Sequence, residues 1–480
     1  MNNMKYTVAV IGVGVIGGMI GRELTRYGIK TVMLEKGNDV ALGASKANSG
    51  IVHGGYDPEP GTLKAKLNAS GVEKLFNTAL ELNVPIKRNE SFVCAFSEEE
   101  KEHLDVLYKR GHENGITALE IIDGDKAREL EKNLSESVVA ALWVKNAGIV
   151  CPYELTVASV GNAMDNGASL VTDFEVTSIS KNGDAFEITS KDGRTVYADY
   201  VINSAGAYSG KIASLVGDDS IEIIPRAGEY LLLDKSEGER VSRTIFQVPT
   251  KEGKGILVSP TVDGNLLTGP TAAVVASPAN KETTADGMNK VNTLALKSVP
   301  TVNFRNVITS FTGVRSSNKD GDFIIGESAA CPQFINVAAI DSPGLTCCVS
   351  IAEYVIDILK GIGLTLEKSA SFNGKRNDPH FFRKMNDDEK NEFIKANPAY
   401  GRIVCRCEGI SEGEMRYAVR TNPPARDLDG VKRRTRAGMG RCQGGFCSPT
   451  VMKLIAEERG IGKEQVTKNG GGSYIVTEKL

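Results

Sequence analysis

The first apolar run, Thr7 to Ile11, predicts a buried strand. Gly14 to Tyr27 then carries a helical pattern, and Gly28 leads into a second strand, Thr31 to Glu35, so the chain opens on a βαβ unit. After the loop Lys36 to Gly55, helical and strand patterns alternate as far as the apolar strand Val201 to Asn203, which runs into Ser204, Ala205 and Gly206. From Ile221 to Val314 the pattern changes to short strands separated by Gly, Pro and Asp turns. Strands return at Phe323 to Ile325 and Phe334 to Ile340, followed by an apolar helix from about Gly344 to Leu359. The expected fold class is α/β, with a discontinuous Rossmann-like domain (1–220 and 315–367) interrupted by a sheet-based substrate domain (221–314). The polar stretch 368–400 reads as a linker with a short charged helix near Asn386, and 401–465 as a small helical module.

The length, 480 residues, is consistent with several domains. A net charge of −3 and few aromatic residues set nucleic acid aside. The stretch Val8 to Ile20 lacks the charged flank of a signal peptide and is broken by four glycines, and no other run reaches the ~20 apolar residues of a spanning helix, so a cytoplasmic location is expected.

Gly12, Gly14 and Gly17 form G-x-G-x-x-G between strand and helix, and Glu35 ends the next strand 18 residues after Gly17. This is a dinucleotide fingerprint: Gly12 permits the tight turn, Gly14 lets the backbone approach a pyrophosphate, Gly17 allows close helix packing, and Glu35 suits an adenosine ribose. The pattern itself does not separate FAD from NAD.

Five of the nine cysteines are scattered and suit buried apolar positions, whereas Cys405-x-Cys407 and Cys442-x4-Cys447 are separated by 34 residues. Such a four-thiolate set holds a 2Fe-2S cluster or zinc, and the C-x-C half favours the cluster. A cluster takes one electron at a time and a nicotinamide delivers a hydride, so one nucleotide site together with one cluster points to FAD, which handles both. Ser411 and Glu414 suit a capping box, with Pro423 and Pro424 ending the helix. Residues 401–450 carry 10 Lys and Arg against 5 Asp and Glu, with the run Lys432 to Arg436 reading as a solvated face, compensation of cluster charge, or a docking surface for an electron-accepting partner.

The segments Asn48 to His53, Pro58 to Lys66 and Asp341 to Thr346 resemble the FAD-dependent glycerol-3-phosphate and L-2-hydroxyglutarate dehydrogenases of the D-amino-acid oxidase superfamily. The terminal cysteines resemble a bacterioferritin-associated-ferredoxin-type 2Fe-2S domain. The resemblance implies cofactor contacts from Lys36, Ser45, Asn48, Ser49, Gly50 and Val52, from Asn203, Ala205 and Gly206, and from Gly326, Gly344, Leu345 and Thr346, with His53 at the flavin ring. It places Arg226, Tyr230 and Arg315 on the substrate side. The implied substrate is a small anionic alcohol, with oxidation of sn-glycerol 3-phosphate to dihydroxyacetone phosphate as the leading reading and L-2-hydroxyglutarate or another 2-hydroxy acid as the alternative; an electron-transfer subunit without its own substrate is the non-enzymatic alternative.

Oxidising a secondary alcohol needs a base near neutrality. His53 is the histidine suited to it, since His103 and His112 lie in a charged helical stretch and His380 in the linker. An anionic substrate needs fixed donors, for which the Arg315 fork is suited. The absence of a second glycine fingerprint leaves no evident nicotinamide site, and the cluster then implies a separate electron-accepting protein.

Overall fold

A computed structural model describes residues 5–183, 185–249 and 255–478. Its first layer is an eight-stranded sheet. Lys5–Ile11 lies centrally, parallel to both Thr31–Leu34 and Thr195–Asn203. Ser169–Val171 and Phe334–Ala338 extend the parallel set at either side. Val8 and Val10 join one cluster with Met19, Ile20 and Leu24 of helix Val15–Arg26 and with Ile351 and Val355 of helix Gly344–Gly361. Ala9 and Ile11 point the other way, into a cluster with Phe174, Phe186 and Ile188. Two faces of one strand therefore feed two cores, which explains a continuous apolar run where a half-buried strand would alternate.

The second layer is a nine-stranded sheet built on the long antiparallel pair Ile224–Leu233 and Val307–Ser317. Helix Ala285–Ser298 covers it through Val291 and Ala295. Thr244–Gln247 pairs in parallel with Ser91–Ala95, which brings in Ala140–Val144 and Leu119–Asp123 as well. The sheet thus crosses the boundaries expected at 220 and 314. Apolar patterning marks those segments as strands but carries no information on which sheet they join.

At the C-terminus, Ile403–Cys405 and Ile410–Ser411 form a ribbon followed by helices Glu412–Arg420, Leu428–Thr435 and Ser448–Arg459. They enclose a separate small core around Ile410, Val431 and Ile455. The capping box is present: Ser411 Oγ accepts the Glu414 N–H at 3.3 Å, and Glu414 Oε2 accepts the Ser411 N–H at 2.9 Å. Residues of the expected linker pack closely, with Phe382, Phe393 and Tyr400 in mutual ring contact and His380 Nε2 2.8 Å from Glu154 Oε2. Among the described residues no helix is long and apolar enough to cross a membrane.

Candidate functional site

Gly12, at the end of the central strand, has φ +92°, and a Cβ there would stand 2.6 Å from the Ser204 carbonyl oxygen. A Cβ on Gly17 would lie 2.0 Å from the Gly12 carbonyl oxygen, so helix and turn can pack only as two glycines. Gly14 caps the helix without a side-chain bond, and Ser45 Oγ accepts the Val15 N–H at 2.9 Å. The open helix N-terminus fits a pyrophosphate. Glu35 is buried, its Oε2 accepting from Val13 N–H and its Oε1 from Gly37 N–H, both at 2.9 Å. Burial pushes its carboxyl up, and the bonds from Gly37 and Val13 oppose that shift.

From this end one continuous cavity of about 1420 Å³ runs between the two sheets. Gly12, Gly14, Glu35, Lys36, Ser45, Asn48, Ser49, Gly50, His53, Ala205, Gly206, Arg226, Tyr230, Arg315, Gly344 and Leu345 all line it. The volume and the glycine cradle suit FAD. Gly17, Val52, Asn203, Gly326 and Thr346 do not line it. Val52 is packed in the first core, and Thr346 stands behind the wall, where its Oγ1 accepts the His53 N–H at 2.8 Å. Asn203 Nδ2 donates to Ser209 O and Asn336 Oδ1 beneath the strand ends, and Gly326 belongs to an edge strand paired with Phe334–Ala338. Proximity in sequence to a cavity residue does not decide the side on which a side chain emerges.

His53 is buried, stacked on Tyr56 with ring centroids 4.8 Å apart, and its Nδ1 accepts the Gly55 N–H at 3.4 Å. Tyr230 stacks on Phe311 and its hydroxyl lies 3.3 Å from Ser49 Oγ. Arg226 and Arg315 are directly opposite each other on paired strands. Arg315 Nη2 reaches the Thr271 carbonyl at 3.5 Å, and among the described residues neither arginine has a carboxylate partner. Two like charges facing each other on a cavity wall are unfavourable unless an anion lies between them. Lys64, which bonds Asp341 at 2.7 Å on the same wall, lies in the Pro58 to Lys66 segment but is not singled out there by any pattern of its own.

The four cysteines of the C-terminal module gather as two pairs. Cys407 and Cys442 sulfurs are 3.7 Å apart, and Cys405 and Cys447 are within hydrogen-bonding reach of each other. Sharing that bond lowers the Cys405 thiol and raises that of Cys447. Backbone N–H groups of Gly438 and Glu408 point at Cys405, and those of Phe446 and Gly444 at Cys442. Two pairs of thiols with N–H donors suit two irons.

The basic run corrects one expectation. Arg433, Arg434 and Arg436 are buried, facing neither solvent nor a partner. Arg433 and Arg434 both hold Asp39, in the loop that follows Glu35. Arg436, in a left-handed conformation at φ +70°, bonds Glu408 at 2.9 Å, Asn265 at 3.0 Å, Tyr153 at 3.2 Å and Asp263 at 2.5 Å. The charge surplus is used to fasten the module to both sheets. Asp39 and Asp263 lie far away in sequence and Glu408 lies 28 positions before Arg436, so no helical or strand spacing could have matched them to their arginines.

The chain is similar to known proteins along its length. Residues 7–358 match the family model "FAD dependent oxidoreductase" and residues 403–457 the "BFD-like [2Fe-2S] binding domain". A glycerol 3-phosphate dehydrogenase of Caloramator mitchellensis is 46% identical over 98% of each chain. A glycerol 3-phosphate oxidase of Mycoplasma pneumoniae is 32% identical, covering 78% of this chain and 98% of its own. The dithionite-reduced, FAD-bound structure of L-alpha-glycerophosphate oxidase from Mycoplasma pneumoniae superposes with a TM-score of 0.75 at 31% identity, over 78% of this chain and 99% of its own. The chain is therefore a member of the FAD dependent oxidoreductase family, with a C-terminal BFD-like 2Fe-2S domain.

Proposed function

We propose that this protein oxidises sn-glycerol 3-phosphate to dihydroxyacetone phosphate and passes the electrons through its C-terminal module to a separate protein. The observation that carries this reading is the facing pair Arg226 and Arg315, unbalanced by any carboxylate among the described residues, at the substrate end of the cavity. Their forks can hold a phosphate from two sides. The relationship to a dehydrogenase along nearly the whole chain supports the same substrate. The oxidase matches a smaller share, consistent with the cluster module being an outlet that an oxidase, discharging to oxygen, does without.

His53 takes the hydroxyl proton, and its backbone is fixed through the Thr346 hydroxyl, with Tyr56 stacked on its ring. Tyr230, braced by Phe311, orients the substrate from the sheet side. The glycine cradle and cavity would hold FAD, which would supply a hydride acceptor, and Cys405, Cys407, Cys442 and Cys447 would hold a cluster supplying a one-electron outlet.

Anaerobic mixing of the holoenzyme with each alcohol tests the reading. Bleaching of the flavin by glycerol 3-phosphate is expected. Bleaching by L-2-hydroxyglutarate alone would reassign the enzyme to 2-hydroxy acids, and bleaching by neither would leave it an electron-transfer subunit.

A further inference from the structure

With Arg433, Arg434 and Arg436 buried, the surface around the cysteines themselves is where a partner could reach the module. Cys407 is exposed, whereas Cys405 and Cys447 are buried. Phe446, next to Cys447, is 88% exposed, far more than any other large apolar side chain described. Arg406, between Cys405 and Cys407, is exposed and has no ion pair among the described residues.

Other cations around these cysteines are paired, but unevenly. Arg441 precedes Cys442 and is 68% exposed, while its partner Asp234 is only 16% exposed. Lys235 is 47% exposed, while its partner Glu408, beside Cys407, is 3% exposed. The carboxylates are recessed and the cations stand outermost. The Phe446 N–H points at Cys442, whose sulfur is 3.7 Å from that of Cys407, so a protruding ring and the outward cations Arg406 and Arg441 flank one exposed ligand position. Charge can steer and an apolar contact anchor a partner at such a place.

We propose that the Phe446, Arg406 and Arg441 face receives an acidic one-electron carrier protein. The proposal rests on the reading of the module as an electron outlet. Conversion of one secondary alcohol to a ketone releases two electrons and two protons. Each docking event passes one electron, so two oxidised carriers leave reduced and two protons go to solvent.

The test uses the full-length holoenzyme reduced with a stoichiometric portion of dithionite, so that it does not depend on the identity of the substrate. Soluble cytochrome b5, an acidic haem protein, and cytochrome c, a basic one, serve as probes in stopped-flow mixing. Cytochrome b5 should be reduced faster at low salt, with a rate that falls as salt rises. Arg406→Glu and Phe446→Ala should each slow it about tenfold, since association rates at one interface vary over roughly one to three decades. The cluster spectra of both variants should match those of the unmodified protein. Faster reduction of cytochrome c, or native rates in both variants, would overturn the proposal. A holoenzyme dimer that Phe446→Ala dissolves would assign the face to a second copy of the chain and overturn it equally.

Discussion

Arg434 grips Asp39 with both terminal nitrogens, at 2.8 and 2.7 Å, across 395 positions of sequence. Asp39 stands four residues after Glu35, so this fork ties the C-terminal module to the loop that frames the nucleotide end of the cavity.

Burial alone would push the Asp39 carboxyl up, but Arg434 and then Arg433 overcome that and hold it well below the usual carboxylate range. A depressed pKa contributes stability that is fully present above the unfolded value, about 3.9, and is lost as pH falls through the folded value. The contribution of Asp39 to docking should therefore be constant between about pH 5 and 8 and be lost only in strong acid. Asp39→Ala leaves two buried guanidiniums unpaired and should cost about 3–5 kcal/mol. Chemical denaturation measures the loss, and limited proteolysis within residues 368–400 should reveal the loosened module. Unchanged stability would show the triad to be dispensable.

For His53→Ala we expect retained FAD and flavin reduction slower by about two to four orders of magnitude, the range of a general base. Stopped-flow bleaching measures it. A near-normal rate would reduce His53 to a packing role against Tyr56.

Arg315→Lys replaces a fork by a point charge while keeping the charge itself. Weaker substrate binding and slower bleaching should follow, without loss of the fold, because among the described residues the Arg315 side chain makes only one long bond, to Thr271. Kinetics identical to the unmodified enzyme would remove Arg315 from the site.

Cys442→Ser breaks the thiol pair with Cys407. The cluster should be lost, with the flavin still reduced by substrate and transfer to a protein acceptor abolished. The absorbance and EPR spectra report the first effect and acceptor reduction the last. Transfer at the normal rate without the cluster would make the module structural.

Much of the nucleotide end was legible in the sequence because its logic is local. Gly12, Gly14 and Gly17 act through backbone geometry within one turn, and Glu35 follows at a spacing set by one helix and one strand. The same holds for the capping box at Ser411 and Glu414 and for the two cysteine pairs as a ligand set. Tertiary structure alone decided where charge went. Lys432 to Arg436 looks the same in sequence whether it faces solvent or Asp39, Asp263 and Glu408, since Asp39 and Asp263 come from distant loops and Glu408 from beyond any local repeat. It likewise decided that Ser91–Ala95, Leu119–Asp123 and Ala140–Val144 join the substrate sheet, and that Thr346 stands behind His53 while Leu345 lines the cavity. Strand pairing and ion pairing are non-local contacts; a residue's own pattern encodes its readiness for them, and only the folded chain supplies the partner.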